Sequence, residues 1–212
     1  MPIELADRVH DYLKSGDIRW GQGSFMGHPR PRRETWIGMD ADRYRYSVGA
    51  ELCSTVMPTD LRDELFQWAQ SLNGGVPCAG VLINEYPDAK TAAARGYGAG
   101  SSGVAAHSDD EHKSYLEGII VSASLGAIRR FVVRDKASGE KTTMLLSHAD
   151  VVLMMPGAQE HFTHEIPKEN ASEKVASMGE FRYNLTFRPT CACGLPHCLK
   201  KHKKHEGKQR AS

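Results

Sequence analysis

The sequence predicts a mainly β fold with flanking helices: a double-stranded β-helix, or jelly roll, with N-terminal helices packed outside it. Three observations carry this reading. Two amphipathic helical segments come first. A series of short strand-like segments then runs from residue 118 onward. The last of them, residues 181–188, alternates strictly between apolar and polar side chains. Helices followed by many strands pack as layers, the helices covering one face of a sheet.

Taken in order, residues 3–14 space Ile3, Ala6, Val9 and Leu13 near a helical period, and Gly16 stops the helix. Residues 21–33 are rich in Gly, Pro and Arg and read as loop. Residues 43–47 alternate like a strand. Pro58-Thr-Asp opens a second helix with Leu61, Leu65, Trp68, Ala69 and Leu72 on one side, closed by Asn73-Gly-Gly. Residues 79–86 read as a buried strand. Residues 92–103, low in core-forming side chains and rich in glycine, read as a mobile loop. Strands are expected at 119–125, 130–134, 142–147, 151–155, near Phe162 and at 181–188, with a turn at 135–139.

In 181–188 a strand puts Phe181, Tyr183, Leu185 and Phe187 on one face and Arg182, Asn184, Thr186 and Arg188 on the other. If the polar face points into a barrel it must meet an anion, because a buried guanidinium needs a partner. Carboxylates suit it through paired hydrogen bonds. On a surface strand the same arginines would be solvated.

Upstream, His107 and Asp109 stand two residues apart, on one face of a strand. His164 follows much later. Two histidines and a carboxylate make the facial triad of non-haem Fe(II) oxygenases, which leaves three coordination positions open. A lone His-x-Asp is common on surface loops. His-x-Asp, a distant His, then Arg-x-Asn-x-x-x-Arg, in that order, is far more specific.

His107-Ser-Asp-Asp-Glu111, Ser122-Ala-Ser-Leu-Gly126, His148-Ala-Asp-Val-Val152, His164 and Arg182-Tyr-Asn-Leu-Thr-Phe-Arg188 together resemble the AlkB family. Asn84-Glu-Tyr86 matches the Asn-x-Tyr element that precedes the iron motif there. The resemblance spans residues 32–189. It implies an Fe(II)- and 2-oxoglutarate-dependent dioxygenase that oxidatively removes alkyl groups from nucleic-acid bases of the N1-methyladenine and N3-methylcytosine type. Formaldehyde and succinate would be released. By resemblance His107, Asp109 and His164 bind iron, while Asn84, Tyr86, Arg182, Asn184 and Arg188 hold 2-oxoglutarate. His161 competes with His164, but three residues separate them, so on a strand they face opposite sides. The family pattern aligns on His164. His148 reads as a turn residue. Two other functions fit less of the sequence: a dioxygenase of the same fold acting on a protein or small molecule, and a non-catalytic nucleic-acid-binding module.

In the family the acidic residue two places after the iron aspartate can contact the exocyclic amine of the base; here that is Glu111. Arg30, Arg32, Arg33, Trp36, Arg43, Tyr44, Arg45 and Tyr46 interleave basic and aromatic residues within a segment of about residues 20–50. Such a mixture can grip phosphates and stack on a base, which makes Arg32, Arg33, Trp36 and Tyr46 candidate substrate contacts. Trp36 fits a core position equally well. Ala105 and Ala106 leave space beside the iron histidine.

With 40% hydrophobic and 25% charged residues over 212 positions, one enzyme-sized domain over 1–190 is expected. A net charge of +1 does not itself point to nucleic acid; the clustering of arginines does. The start lacks a basic segment followed by an apolar stretch, and no run reaches membrane-span length. A protein without a membrane anchor, intracellular and monomeric, is the expectation. Three of the five cysteines crowd into 191–198, which argues against a disulfide framework. Cys191, Cys193 and Cys198, with His197, His202 and His205 nearby, suggest a zinc element in the tail 191–212. The lysines after it could contact phosphates.

Overall fold

The computed structural model describes residues 1–15, 17–25, 28–38, 54–97, 102–110, 118–168 and 179–189. The chain begins with helix α1 (Ile3–Lys14), two short strands β1 (Ser24–Phe25) and β2 (His28–Pro29), then β3 (Arg33–Gly38) and helix α2 (Thr59–Leu72). Next come β4 (Cys78–Pro87), the short helix α3 (Ala89–Ala94), β5 (Val104–His107), β6 (Ile120–Gly126), β7 (Arg129–Asp135), β8 (Lys141–Leu146) and β9 (Val151–Met154). A single helical turn α4 (Ala158–His161) leads into β10 (Phe162–Ile166), and β11 (Phe181–Pro189) ends the described chain. The strand expected over 43–47 and the tail 191–212 lie outside the described residues.

β1 and β2 pair by themselves, and the other described strands form two antiparallel sheets, ordered β3-β4-β11-β6-β9 and β5-β10-β7-β8, in the expected double-stranded β-helix. β11 is the central strand of the larger sheet. Its apolar residues Tyr183, Leu185 and Phe187 join Ile37, Val81, Ile83, Val121, Ala123 and Leu125 on one face. α1 and α2 cover that face with Leu5, Ala6, Val9, Leu13, Leu61, Leu65, Phe66 and Ala69. This is the one-sided apolar pattern that makes a helix dock rather than stand free. The α1 stripe differs from expectation at its start: Ile3 is half exposed and Leu5 is buried in its place. Between the sheets, Tyr86 packs with Phe131, Leu146 and Ile166.

Part of the segment expected to be a mobile loop is ordered. Asp88 caps α3 by accepting from the Thr91 amide at 2.7 Å, and Ala92 is fully buried. An Asp N-cap ahead of a run of alanines outweighs the glycines that follow.

Trp36 lies on the inner face of β3, opposite Leu82, and packs over Gly80 of β4. A Cβ at residue 80 would sit 2.6 Å from the indole Cε2 and 2.8 Å from the Ile37 carbonyl oxygen. Neither backbone nor a buried indole can yield cheaply. Gly80→Ala is expected to destabilise the fold by about 1–3 kcal/mol. Thermal denaturation should then show a midpoint several degrees below wild type, while Gly139→Ala, with nothing near its Cβ, pays only for its left-handed backbone.

Candidate active site

The inner face of the larger sheet is polar because β11 alternates. Arg182 stands opposite Tyr86 on β4 and Gly126 on β6, Asn184 opposite Asn84 and Ser124, and Thr186 opposite Leu82 and Ser122. Arg182 is fully buried. Its Nη2 donates to Ser124 Oγ at 2.9 Å and to Asn184 Oδ1 at 2.8 Å, and its guanidinium lies 5.5 Å from the Tyr86 ring centre. Among the described residues, Nε and Nη1 have no hydrogen-bond partner. Burial pulls its pKa down to about 10, so it stays cationic at neutral pH. A buried cation with two unsatisfied donors is costly unless an anion completes it. The site therefore fits a ligand carboxylate.

The opposite wall carries His107, Asp109 and His164. His107 ends β5, and His164 lies directly across from it on β10. One donor atom from each of the three residues lies within 4.8 Å of the others. His107 Nε2 is 3.9 Å from Asp109 Oδ1, and His164 Nε2 is 3.8 Å from Asp109 Oδ2. His107 Nδ1 lies 2.9 Å from the Ala105 carbonyl. A carbonyl only accepts, so the proton belongs on Nδ1, which leaves the Nε2 lone pair for a metal. His164 stacks on Phe131 at 5.5 Å.

Electrostatics prepare these groups as ligands. Burial alone would push the Asp109 carboxyl upward. The nearby Arg188 guanidinium, His164 and His107 outweigh that and hold it well below the usual carboxylate range. Arg188 Nη2 donates to Asp109 Oδ1 at 3.0 Å. Burial lowers His164 to about 4, with Asp109 opposing, so its imidazole is neutral at pH 7. Two imidazoles and one carboxylate, on β5, just beyond it and on β10, could hold a divalent transition metal and leave open positions.

Both walls face one cavity of about 840 Å³. Asn84, Tyr86, Asn184 and Arg188 line it, as do His107, Asp109 and His164. Arg182 is not part of that lining but bonds to Asn184, which is. Arg32 also lines it, with Nε bonded to Glu34 and Asn84. Arg33 and Trp36, expected as substrate contacts, do not reach it. Arg33 is one residue out of phase, and its fork grips Glu85 at 2.6 and 2.9 Å on the helix-covered side. Trp36 is 1% exposed against Gly80, so it cannot stack on a base. Glu111, Tyr46, Cys191, Cys193 and Cys198 lie outside the described residues. The competing histidines stand elsewhere. His161 is exposed at the end of α4, and His148 Nδ1 accepts from the Gly126 amide.

Sequence reading missed Gln159 and Glu34. Gln159 is 3% exposed, and its Oε1 accepts from the Asp109 amide at 2.8 Å. Nothing in the local sequence marks that contact, which depends on α4 folding back beside β5. Glu34 shares the phase of Arg32 and Trp36, a signal hidden while 21–33 read as loop.

His164→Ala, His107→Ala and Asp109→Ala are each expected to abolish binding of Mn(II) by the metal-free protein in calorimetric titration, whereas His161→Ala binds as wild type. Loss of the amide clamp in Gln159→Leu should weaken binding about tenfold, the lower end for a group that orients a ligand.

A profile of the 2OG-Fe(II) oxygenase superfamily matches residues 3–188. The chain is 30% identical to the mouse DNA oxidative demethylase ALKBH2 over 116 residues, 51% of this chain and 41% of that protein. It is 30% identical to the rat alpha-ketoglutarate-dependent dioxygenase alkB homolog 3 over 190 residues, 81% of this chain and 56% of that one. The chain thus spans about half the length of these relatives. The solved structure of OsALKBH1 superposes with a TM-score of 0.53 at 18% identity, covering 88% of this chain and 91% of that one. A bsmA homologue from Methylobium petroleophilum gives 0.51 at 14%, covering 89% and 83%. Those two likenesses speak for the fold alone. With the superfamily pattern running through both walls of the cavity, the chain belongs to the 2OG-Fe(II) oxygenase superfamily, as an AlkB-like member.

Proposed function

We propose that this oxygenase oxidatively removes small alkyl groups from nucleic-acid bases. The observation that carries it is one cavity with two chemically distinct walls, in which Asn84, Tyr86, Asn184 and Arg188, backed by the buried and incompletely satisfied Arg182 bonded to Asn184, face a His-Asp-His cluster. Superfamily membership implies Fe(II) and 2-oxoglutarate. In this reading His107, Asp109 and His164 hold the iron. Asn84, Tyr86, Arg182, Asn184 and Arg188 hold 2-oxoglutarate, with its far carboxylate on the open nitrogens of Arg182. Once bound, iron, 2-oxoglutarate and dioxygen supply the oxidising power for hydroxylating a C–H bond, with succinate and carbon dioxide as products. The hydroxylated N-methyl group then leaves as formaldehyde.

The protein's part is positioning and exclusion of water. Arg188 neutralises Asp109 and keeps its carboxylate fixed. Gln159 holds the backbone beneath it. The short side chains of Ala105 and Ala106 line the cavity beside His107, and with Phe131 and Met154 they leave apolar room for a flat base. Two relatives support the substrate class, since the rodent and human ALKBH2 proteins are named as DNA oxidative demethylases. A base must leave its stack to enter such a cavity, and a methyl group on the Watson–Crick edge lowers that cost by preventing pairing. Glu111, two residues after Asp109, would accept from the exocyclic amine of adenine or cytosine.

The deciding experiment offers Fe(II), 2-oxoglutarate and single-stranded oligonucleotides bearing N1-methyladenine or N3-methylcytosine, and measures formaldehyde, succinate and restored base. Formaldehyde release in step with restored base is expected. Succinate formed with proteins or small molecules, and none with any methylated oligonucleotide, would reassign the substrate. Arg182→Ala should weaken 2-oxoglutarate binding by one to two decades, since a charge-assisted hydrogen bond contributes roughly 1.5–3 kcal/mol. Calorimetry on the Mn(II)-loaded protein checks this.

A further inference from the structure

Beside the cavity stands a carboxylate that neither the metal cluster nor the carboxylate-binding wall uses. Glu34 is fully buried on β3. Arg30 Nη1 lies 3.2 and 3.4 Å from its two oxygens, and Arg32 Nε donates to Oε1 at 2.8 Å. The same Arg32 Nε reaches Asn84 Oδ1 at 3.0 Å. Asn84 faces Glu34 across the β3–β4 pair and Asn184 across the β4–β11 pair, so the three side chains form one row across the sheet.

We propose that Arg32 and Glu34 are positioning residues that orient the Asn84 amide, so that it presents its nitrogen and not its oxygen to a carboxylate in the cavity. This rests on the cavity being the 2-oxoglutarate site. A primary amide has an acceptor on one side and donors on the other. With Oδ1 drawn to the guanidinium, Nδ2 turns the other way. Among the described residues Nδ2 has no hydrogen-bond partner, and Asn84 lines the cavity. The flipped amide would set an oxygen lone pair against an anionic ligand. Glu34 is needed because Arg32 must stay inside: its charge holds the guanidinium side chain at 14% exposure. A lysine cannot replace it, since an ammonium on a flexible stem does not hold one N–H between two acceptors at fixed angles, as the rigid guanidinium plane does here.

Arg32 thereby takes a different part from the substrate contact expected of it from sequence. Among the described residues its Nε is turned to Glu34 and Asn84, inside the sheet.

The test measures 2-oxoglutarate affinity calorimetrically on the Mn(II)-loaded full chain, and the salt dependence of oligonucleotide binding alongside it. Arg32→Lys keeps the charge beside Glu34 and guards against misfolding; Arg32→Ala removes it. Both should weaken 2-oxoglutarate about tenfold, the scale of one charge-assisted hydrogen bond. Neither should weaken it further once Asn84→Ala is present, because the three residues act as one unit. The salt slope should match wild type. Unchanged 2-oxoglutarate affinity in Arg32→Lys and Arg32→Ala, or an equal loss with and without Asn84, overturns the inference. So does a slope reduced by about 0.7, which would mark a lost phosphate contact on a single strand. If the wild-type protein binds no 2-oxoglutarate, the proposed function falls and takes this inference with it.

Discussion

Two guanidinium groups buried on the central strand of a sheet set the terms for everything around them. Arg182 and Arg188 are each 2% exposed or less on the inner face of β11, Arg188 lining the cavity and Arg182 bonded to Asn184, which lines it. Charges taken out of water must be answered by other charges or by dense hydrogen bonding. Arg188 is answered by Asp109 across the sheet interface, and Arg182 by Ser124 and Asn184 with two nitrogens left over. The first pairing ties the larger sheet to the metal-facing strands. The second leaves a standing demand for an anion. Fold and ligand requirement thus arise from one strand.

The opposite face of that strand explains why the arrangement is affordable. Tyr183, Leu185 and Phe187 interlock with α1 and α2, and Phe187 meets Phe66 and Trp68 edge-on at 5.9 and 5.8 Å. Stability is collected on the helix-covered side and polarity is tolerated on the other. Glu85 adds a clasp at the boundary, buried between Arg33 and Arg95, so these two guanidinium groups hold the structure together.

Legibility followed how local the determining pattern was. The period-two alternation of 181–188 is written in eight consecutive residues, so its two faces could be read directly. The His-x-Asp pair is equally local, whereas the phase argument separating His164 from His161 assumed one strand through both, and His161 instead ends α4 while His164 stands on β10. Arg33 and Trp36 misled because their faces depend on register with β4, and the segment before β3 has the glycines and prolines of a loop. Gln159 was invisible for a similar reason: its contact with Asp109 joins residues fifty positions apart through a turn of helix. Arg32 could be placed near the site from composition, but its partner Glu34 could not be recognised without knowing that both share the inner phase.

β5 is a four-residue strand at the edge of the smaller sheet, paired along one side to β10. Two of the three clustered donors lie on it or just beyond it, and the third lies on its only neighbour in that sheet. A cation held by all three would act as a cross-link between segments far apart in sequence, closing a long loop at the edge of the sheet. Such an edge gains order from its ion. Amide exchange in Val104–His107 would then report metal occupancy directly, slow in the loaded protein and fast in the empty one.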